Sequence, residues 1–203
     1  MMGLGAADEE IPRIAGEMRR LETKGGLGAF LAELAGRYSM FDLQVIAGGL
    51  RHDIDLLPMP YREAFRPYAE EWFWGRYHRL LKMARDGSFH GAAVQQGITD
   101  PATFHAFCDM LPDGCLREND EGEIGWRANP AMAPWYQLFY YLLCAFGMYV
   151  LDEPGHPVGT PFPGGFEVYY KDGNYYCAIR DKEEEIIHSI CNFCPARQDP
   201  ANL

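Results

Sequence analysis

The stretch WYQLFYYLLCAFGMYVL, residues 135–151, is almost wholly apolar, broken only by Gln137 and Gly147. It is about as long as the shortest membrane span, roughly 17 residues. Its tyrosines and tryptophan run along the whole segment rather than gathering at its ends, and no basic residues flank it, which is not the pattern of an interfacial anchor. A helix that is apolar all round is also what the middle of a helical domain requires. The stretch therefore predicts the central helix of a mainly α, multi-helix bundle-like domain with no membrane contact.

The chain before it reads as helices packed around that centre. Ser39, followed by Asp42 at the capping-box position, opens a helix through Phe41, Val45, Ile46 and Leu50, with Pro58 as a stop. Tyr61, Phe65, Tyr68, Trp72, Leu80 and Met83 recur at three- and four-residue steps to make one apolar stripe, which Asp86-Gly87 ends. Asp100-Pro101 supplies an N-cap and first helical position for a short helix carrying His105 and Cys108, and Leu111-Pro112-Asp113-Gly114 reads as a turn between Cys108 and Cys115. Ala133-Pro134 opens the buried helix, and Gly25-Gly26-Leu27-Gly28 reads as a flexible approach to a helix.

The character of the chain changes after Leu151. Residues 152–165 are rich in Pro and Gly and form a seam between a helical domain, residues 1–151, and a tail, residues 152–203, packed with it as one unit. Residues 166–171 and 174–179 read as two strands around Asp172-Gly173, the dipeptide suited to a type I′ hairpin turn. Cys177 closes this C-terminal β-hairpin, and Cys191-Asn192-Phe193-Cys194 follows, with His188 three residues before Cys191. Three thiols and an imidazole in one short segment are the donors of a tetrahedral Cys₃His shell for zinc, or the protein side of an iron–sulfur cluster. Cys177, Cys191, Cys194 and His188 are thus the candidate ligands of a Cys-rich metal knuckle. Cys108, Cys115, Cys144 and His156 are alternative fourth donors, although Cys144 sits inside the apolar run and reads as core. A redox C-x₂-C pair lacks a preceding βαβ pattern, and cysteines that bind nothing beneath a docked tail are the bland alternative.

Composition narrows the function classes. The chain has 203 residues, 48% hydrophobic and 14% aromatic, enough for one substantial core. A net charge of −11 opposes nucleic-acid binding, which rewards clustered Lys and Arg. Six cysteines without disulfide-dense spacing, and a start without the basic flank and apolar core of a signal peptide, point to the reducing cytoplasm.

Other constellations are weaker. His52-Asp53 echoes the metal-binding doublet of HD-domain phosphohydrolases but lacks an upstream histidine, and Glu185-Ile186-Ile187-His188 is one Glu-x-x-His where a di-iron bundle needs two. None of Ser39, Ser88 and Ser189 lies in G-x-S-x-G. Trp72, Phe73, Trp74, Tyr77 and His78 pack a core, with Trp74 and His78 on a neighbouring face where a small-molecule pocket facing the tail can form.

The run from His156 to Phe166 (HPVGTPFPGGF), Tyr175-Tyr176-Cys177 and Cys191-Asn192-Phe193-Cys194-Pro195-Ala196-Arg197-Gln198 together resemble an uncharacterised family of methanogenic archaea, a domain of unknown function of the DUF2115 and UPF0305 type. The resemblance is carried by residues 156–198. It implies an archaeal, anaerobic cytoplasm, which brings iron–sulfur chemistry forward beside zinc, and it implies no catalytic residue. The reading that follows is a cytoplasmic metal-binding protein with a structural zinc site, acting as a binding or assembly module for a protein partner or small molecule. The alternative is an iron–sulfur redox protein or enzyme using the same cysteines.

Overall fold

Apolar residues on every side of residues 135–151 can be satisfied only by neighbours on every side, and the fold is built that way. The computed structural model describes residues 6–92, 95–117 and 133–202. The architecture is mainly helical. It comprises α1 (Ala7–Arg19), α2 (Lys24–Ala35), α3 (Met40–Asp55), α4 (Tyr61–Glu70), α5 (Arg76–Arg85), α6 (Pro101–Leu116) and α7 (Ala133–Ala145). Two wider π-helical turns extend these elements: Glu71–Gly75 joins α4 to α5, and Phe146–Val150 prolongs α7. From Leu138 to Val150 only Tyr140 is more than marginally accessible, and Phe139, Leu142, Leu143 and Cys144 are fully buried. No described helix is long and apolar enough to cross a membrane.

The helix signals in the sequence are realised locally. Ser39 and Asp42 form a reciprocal capping box, with the Ser39 N–H donating to Asp42 Oδ2 at 2.8 Å and the Asp42 N–H to Ser39 Oγ at 3.2 Å. Asp100 Oδ1 accepts from the Thr103 N–H at 3.1 Å and caps α6. Gly87, at φ +70°, ends the long helix of the apolar stripe in the left-handed region.

Two local expectations are corrected. Leu111-Pro112-Asp113-Gly114 is not a turn: α6 runs through it to Leu116, because Phe104, Phe107, Cys108, Leu111 and Cys115 lie on a buried face that outweighs the hydrogen bond Pro112 removes. Gly25, Gly26 and Gly28 are not a flexible approach but lie inside α2, capped by Thr23, whose Oγ1 accepts from the Gly26 N–H. Gly28 is needed there because a Cβ would come within 2.3 Å of the Phe89 ring.

The tail carries little regular structure. β1 (Pro161–Phe162) pairs antiparallel with β2 (Phe166–Glu167), so the first part of the expected hairpin turns back on the Pro/Gly loop instead. β3 (Tyr169–Lys171) and β4 (Asn174–Cys177) form the hairpin, with Asp172 at φ +50° and Gly173 at φ +80°, and β5 (Arg197–Gln198) adds parallel to β4. The small cluster under these strands holds Phe162, Val168, Cys177, Ala178 and Ala196. The tail docks on the helices through Ile190, which joins the main core, and through Phe193, edge-on to Phe107 with ring centroids 5.6 Å apart. The Tyr141 hydroxyl donates to the His188 carbonyl at 3.0 Å.

Candidate metal centre

The thiols of the tail reach the same place from two pieces of chain. Cys177 is the last residue of β4, held in register with Gln198 of β5, and its carbonyl accepts from the Asp199 N–H at 3.0 Å. Cys191 lies in the 3₁₀ turn Ile190–Phe193, whose N-cap Ser189 accepts from the Cys191 N–H at 3.3 Å. Cys194 follows that turn, with its N–H donating to the Cys191 carbonyl at 3.2 Å. The three side chains, with His156 and Arg180, border one cavity of about 10 Å³. A space of that size holds roughly one water or one ion.

The Pro/Gly loop closes this cavity, and α5 holds the loop. The Arg76 guanidinium, only 6% exposed, donates to the carbonyls of Gly155 at 3.0 Å and Pro154 at 2.6 Å, and Trp72 Nε1 also donates to the Gly155 carbonyl. Pinned in this way, the Gly155 N–H donates to Cys194 Sγ at 3.1 Å. Room for the guanidinium comes from the π-helical turn after α7, where a Cβ on Gly147 would sit 2.6 Å from Arg76 Cζ.

Burial favours the neutral form of Cys177, Cys191 and His156 alike. Burial raises Cys191 to about 11, helped by Cys194 and Cys177 nearby and opposed by Ser189. Burial also raises Cys177, with backbone N–H groups at Ile179 and Arg180 and the Arg180 charge pulling the other way. His156 is held at about 4 by burial and then by the Arg76 charge. An imidazole that gives up its proton so easily and a Cys191 thiol that holds its own so firmly do not make a thiolate–imidazolium pair. Among the described residues no three or more His, Cys, Asp or Glu side chains already stand in ion-holding geometry, so the four donors border the cavity without closing a coordination shell. The metal knuckle expected from the sequence is therefore not preformed. The donor set itself, three thiols and a neutral imidazole around an atom-sized space, fits a single soft or borderline ion.

Of the two histidines considered as the fourth donor, His156 borders this cavity and His188 does not. Cys108, Cys115 and Cys144 are free thiols buried in the helical core, and Cys108 is raised to about 12 by burial. His52 is exposed near the end of α3 and Glu185 lies in a turn rather than on a helix, and among the described residues neither His52-Asp53 nor Glu185 with His188 stands in an ion-holding group.

The chain is similar over residues 23–199 to the family described as an uncharacterised protein conserved in archaea (DUF2115). It belongs to that family. A UPF0305 protein of Methanococcus maripaludis is 40% identical over 158 residues, 77% of this chain and 85% of the relative. One of Methanocaldococcus jannaschii is 34% identical over 160 residues, again 77% and 85%. A UPF0305 protein of Methanothermobacter thermautotrophicus is 51% identical over a shorter stretch of 59 residues, so that this match spans 29% of the chain and 38% of that relative. No solved structure matches the chain. The family match extends well beyond residues 156–198 into the helices that support the centre.

Sequence reasoning missed Arg76 and Gly147, and named His156 only as one alternative donor. One signal for Arg76 was present: it lies four residues after Trp72 and four before Leu80, where the apolar stripe of the long helix calls for an apolar side chain. A lone cation on a buried stripe is a group that must find partners.

Proposed function

We propose that this DUF2115 protein is a metal-binding protein in which Cys177, Cys191, Cys194 and His156 hold one structural zinc ion that staples the tail to the helical body. The observation carrying this reading is the meeting of three thiols, from the hairpin and the 3₁₀ turn, with an imidazole from the Pro/Gly loop around a single cavity of about 10 Å³. That size favours one ion over an iron–sulfur cluster of several atoms, which is the reason to place zinc first. Three thiolates and a neutral imidazole around Zn²⁺ carry one net negative charge, and Arg180 at the cavity and Arg76 behind it are placed to offset it. The tail has cause to need such a staple: its strands run two to four residues and its own apolar cluster is small. Four protein ligands leave no open position for a substrate, so the ion supplies stability and the domain acts as a binding or assembly module.

Elemental analysis and a visible spectrum of untagged protein purified without oxygen test this. About one zinc per chain without colour is expected, with metal lost in Cys191→Ser and Cys177→Ser and retained in Cys144→Ala. Brown protein with iron and sulfide, or no metal in protein purified with its thiols reduced, would overturn it.

A further inference from the structure

A second and much larger cavity, about 420 Å³, opens between α3, the α4 helix with its π-helical turn, α7 and residues 183–190 of the tail. Its volume falls in the range of small-molecule sites, roughly 300–1,000 Å³, whereas voids inside a native core rarely exceed a water molecule. The walls are Ile46 and Leu50 from α3, Trp72 and Phe73 from the π-helical turn, and Tyr136 and Tyr140 from α7. The space lies against Trp72 and Phe73; Trp74 and His78, the neighbouring face singled out in the sequence, do not border it.

Two observations say what such a space accepts. His188, which the thiol cavity does not use, borders this one, and its Nδ1 is shielded from solvent without a hydrogen-bond partner. Its backbone is tied to α7 by the Tyr141 hydroxyl on its carbonyl, which keeps the residue at the cavity's edge. A shielded ring nitrogen left in this state is met when a ligand brings a hydrogen-bonding group. The charged groups on the wall are the carboxylates of Asp53 and Glu183 against the guanidinium of Arg117, and the chain as a whole carries −11, so an anionic head group is disfavoured. Aromatic walls suit flat rings and cations alike.

We infer that this cavity binds a small ring-bearing organic molecule, neutral or cationic, whose single polar head hydrogen-bonds His188 Nδ1. His156, a ligand in the proposed zinc shell, and Ile190 border both cavities, whereas Ile46, Leu50, Trp72, Phe73, Tyr136, Tyr140 and His188 border only the larger one, so variants at those positions test this inference apart from the metal.

Calorimetric titration of the full chain with three probes that share a naphthalene ring tests it: 2-naphthylmethanol, 2-naphthylmethylammonium and 2-naphthoate. The alcohol and the ammonium should bind at one per chain, with the naphthoate at least tenfold weaker. Leu50→Trp, at a half-buried wall position, should weaken the first two at least tenfold, and Ala69→Leu should do the same if the tryptophan variant does not fold. His188→Phe, which keeps the ring and removes Nδ1, should weaken them about threefold to tenfold. Absence of saturable binding by all three probes, naphthoate binding as tightly as the ammonium, affinity unchanged by cavity filling, or affinity unchanged in His188→Phe would each overturn the proposal.

Discussion

Arg76 shows how one side chain can set the geometry of a site it does not enter. Its two carbonyl partners, Pro154 and Gly155, lie 78 and 79 residues away in sequence, and through them it aims the Gly155 N–H at Cys194. Burial holds its pKa below the usual arginine value, and the nearby thiols Cys144 and Cys194, with Glu153, push the other way. Arg79, three residues on, is half exposed and pairs with Glu153 at 2.6 Å on the surface, where such a pair contributes little. Replacing Arg76 with Met takes the donor from the Pro154 carbonyl and leaves the Gly155 carbonyl with Trp72 alone, and a stability loss of about 1–3 kcal/mol in chemical denaturation is expected, together with weaker retention of metal. Gly147→Ala pushes a methyl against the pinned guanidinium and should cost about 1–3 kcal/mol by the same measurement. An unchanged midpoint for Gly147→Ala would mean that the guanidinium moves freely. In the sequence Gly147 reads only as a break in an apolar run, because what makes it necessary belongs to another helix.

At the scale of elements, caps were legible and continuations were not. Asp100, Ser39 and the Asp172-Gly173 turn act through atoms within three residues, so their chemistry can be read from the string alone. Leu111-Pro112-Asp113-Gly114 was misread because its outcome depends on what Leu111 and Cys115 pack against. The first strand of the hairpin was overextended for a similar reason: Gly164 and Gly165, at φ +90° and +82°, turn Phe166 back toward Phe162. Asp100→Ala should destabilise α6 by about 1 kcal/mol. The Thr103 hydroxyl and N–H lower the Asp100 pKa below its ordinary 3.8, so the capping contribution is fully present above the unfolded value and is lost as pH falls through the lower folded value. Denaturation midpoints of the wild type and Asp100→Ala should therefore differ at neutral pH and converge as the pH falls below the ordinary carboxylate value of 3.8. Gly173→Ala forces a Cβ into the left-handed region and should cost about 1–2 kcal/mol, read as loss of amide protection in β3 and β4.

For the molecule as a whole, the tail has two attachments: apolar docking through Ile190 and Phe193, and the thiol centre. If zinc is the staple, chelation should expose residues 152–202 to limited proteolysis while the circular dichroism of the helices persists; a tail that stays protected would mean docking alone holds it. The sequence by itself determined the helical class, the central buried helix, the main caps, the hairpin turn and the three thiols, because each is written in local periodicity or in the chemistry of neighbouring residues. Only the tertiary structure decided that His156 rather than His188 stands with those thiols, that Arg76 positions the loop between them, and that His188 borders a separate cavity. These are meetings of residues from about 20 to more than 100 positions apart, and which of two nearby histidines arrives at a given point is set by how helices and loops pack, not by their spacing along the chain.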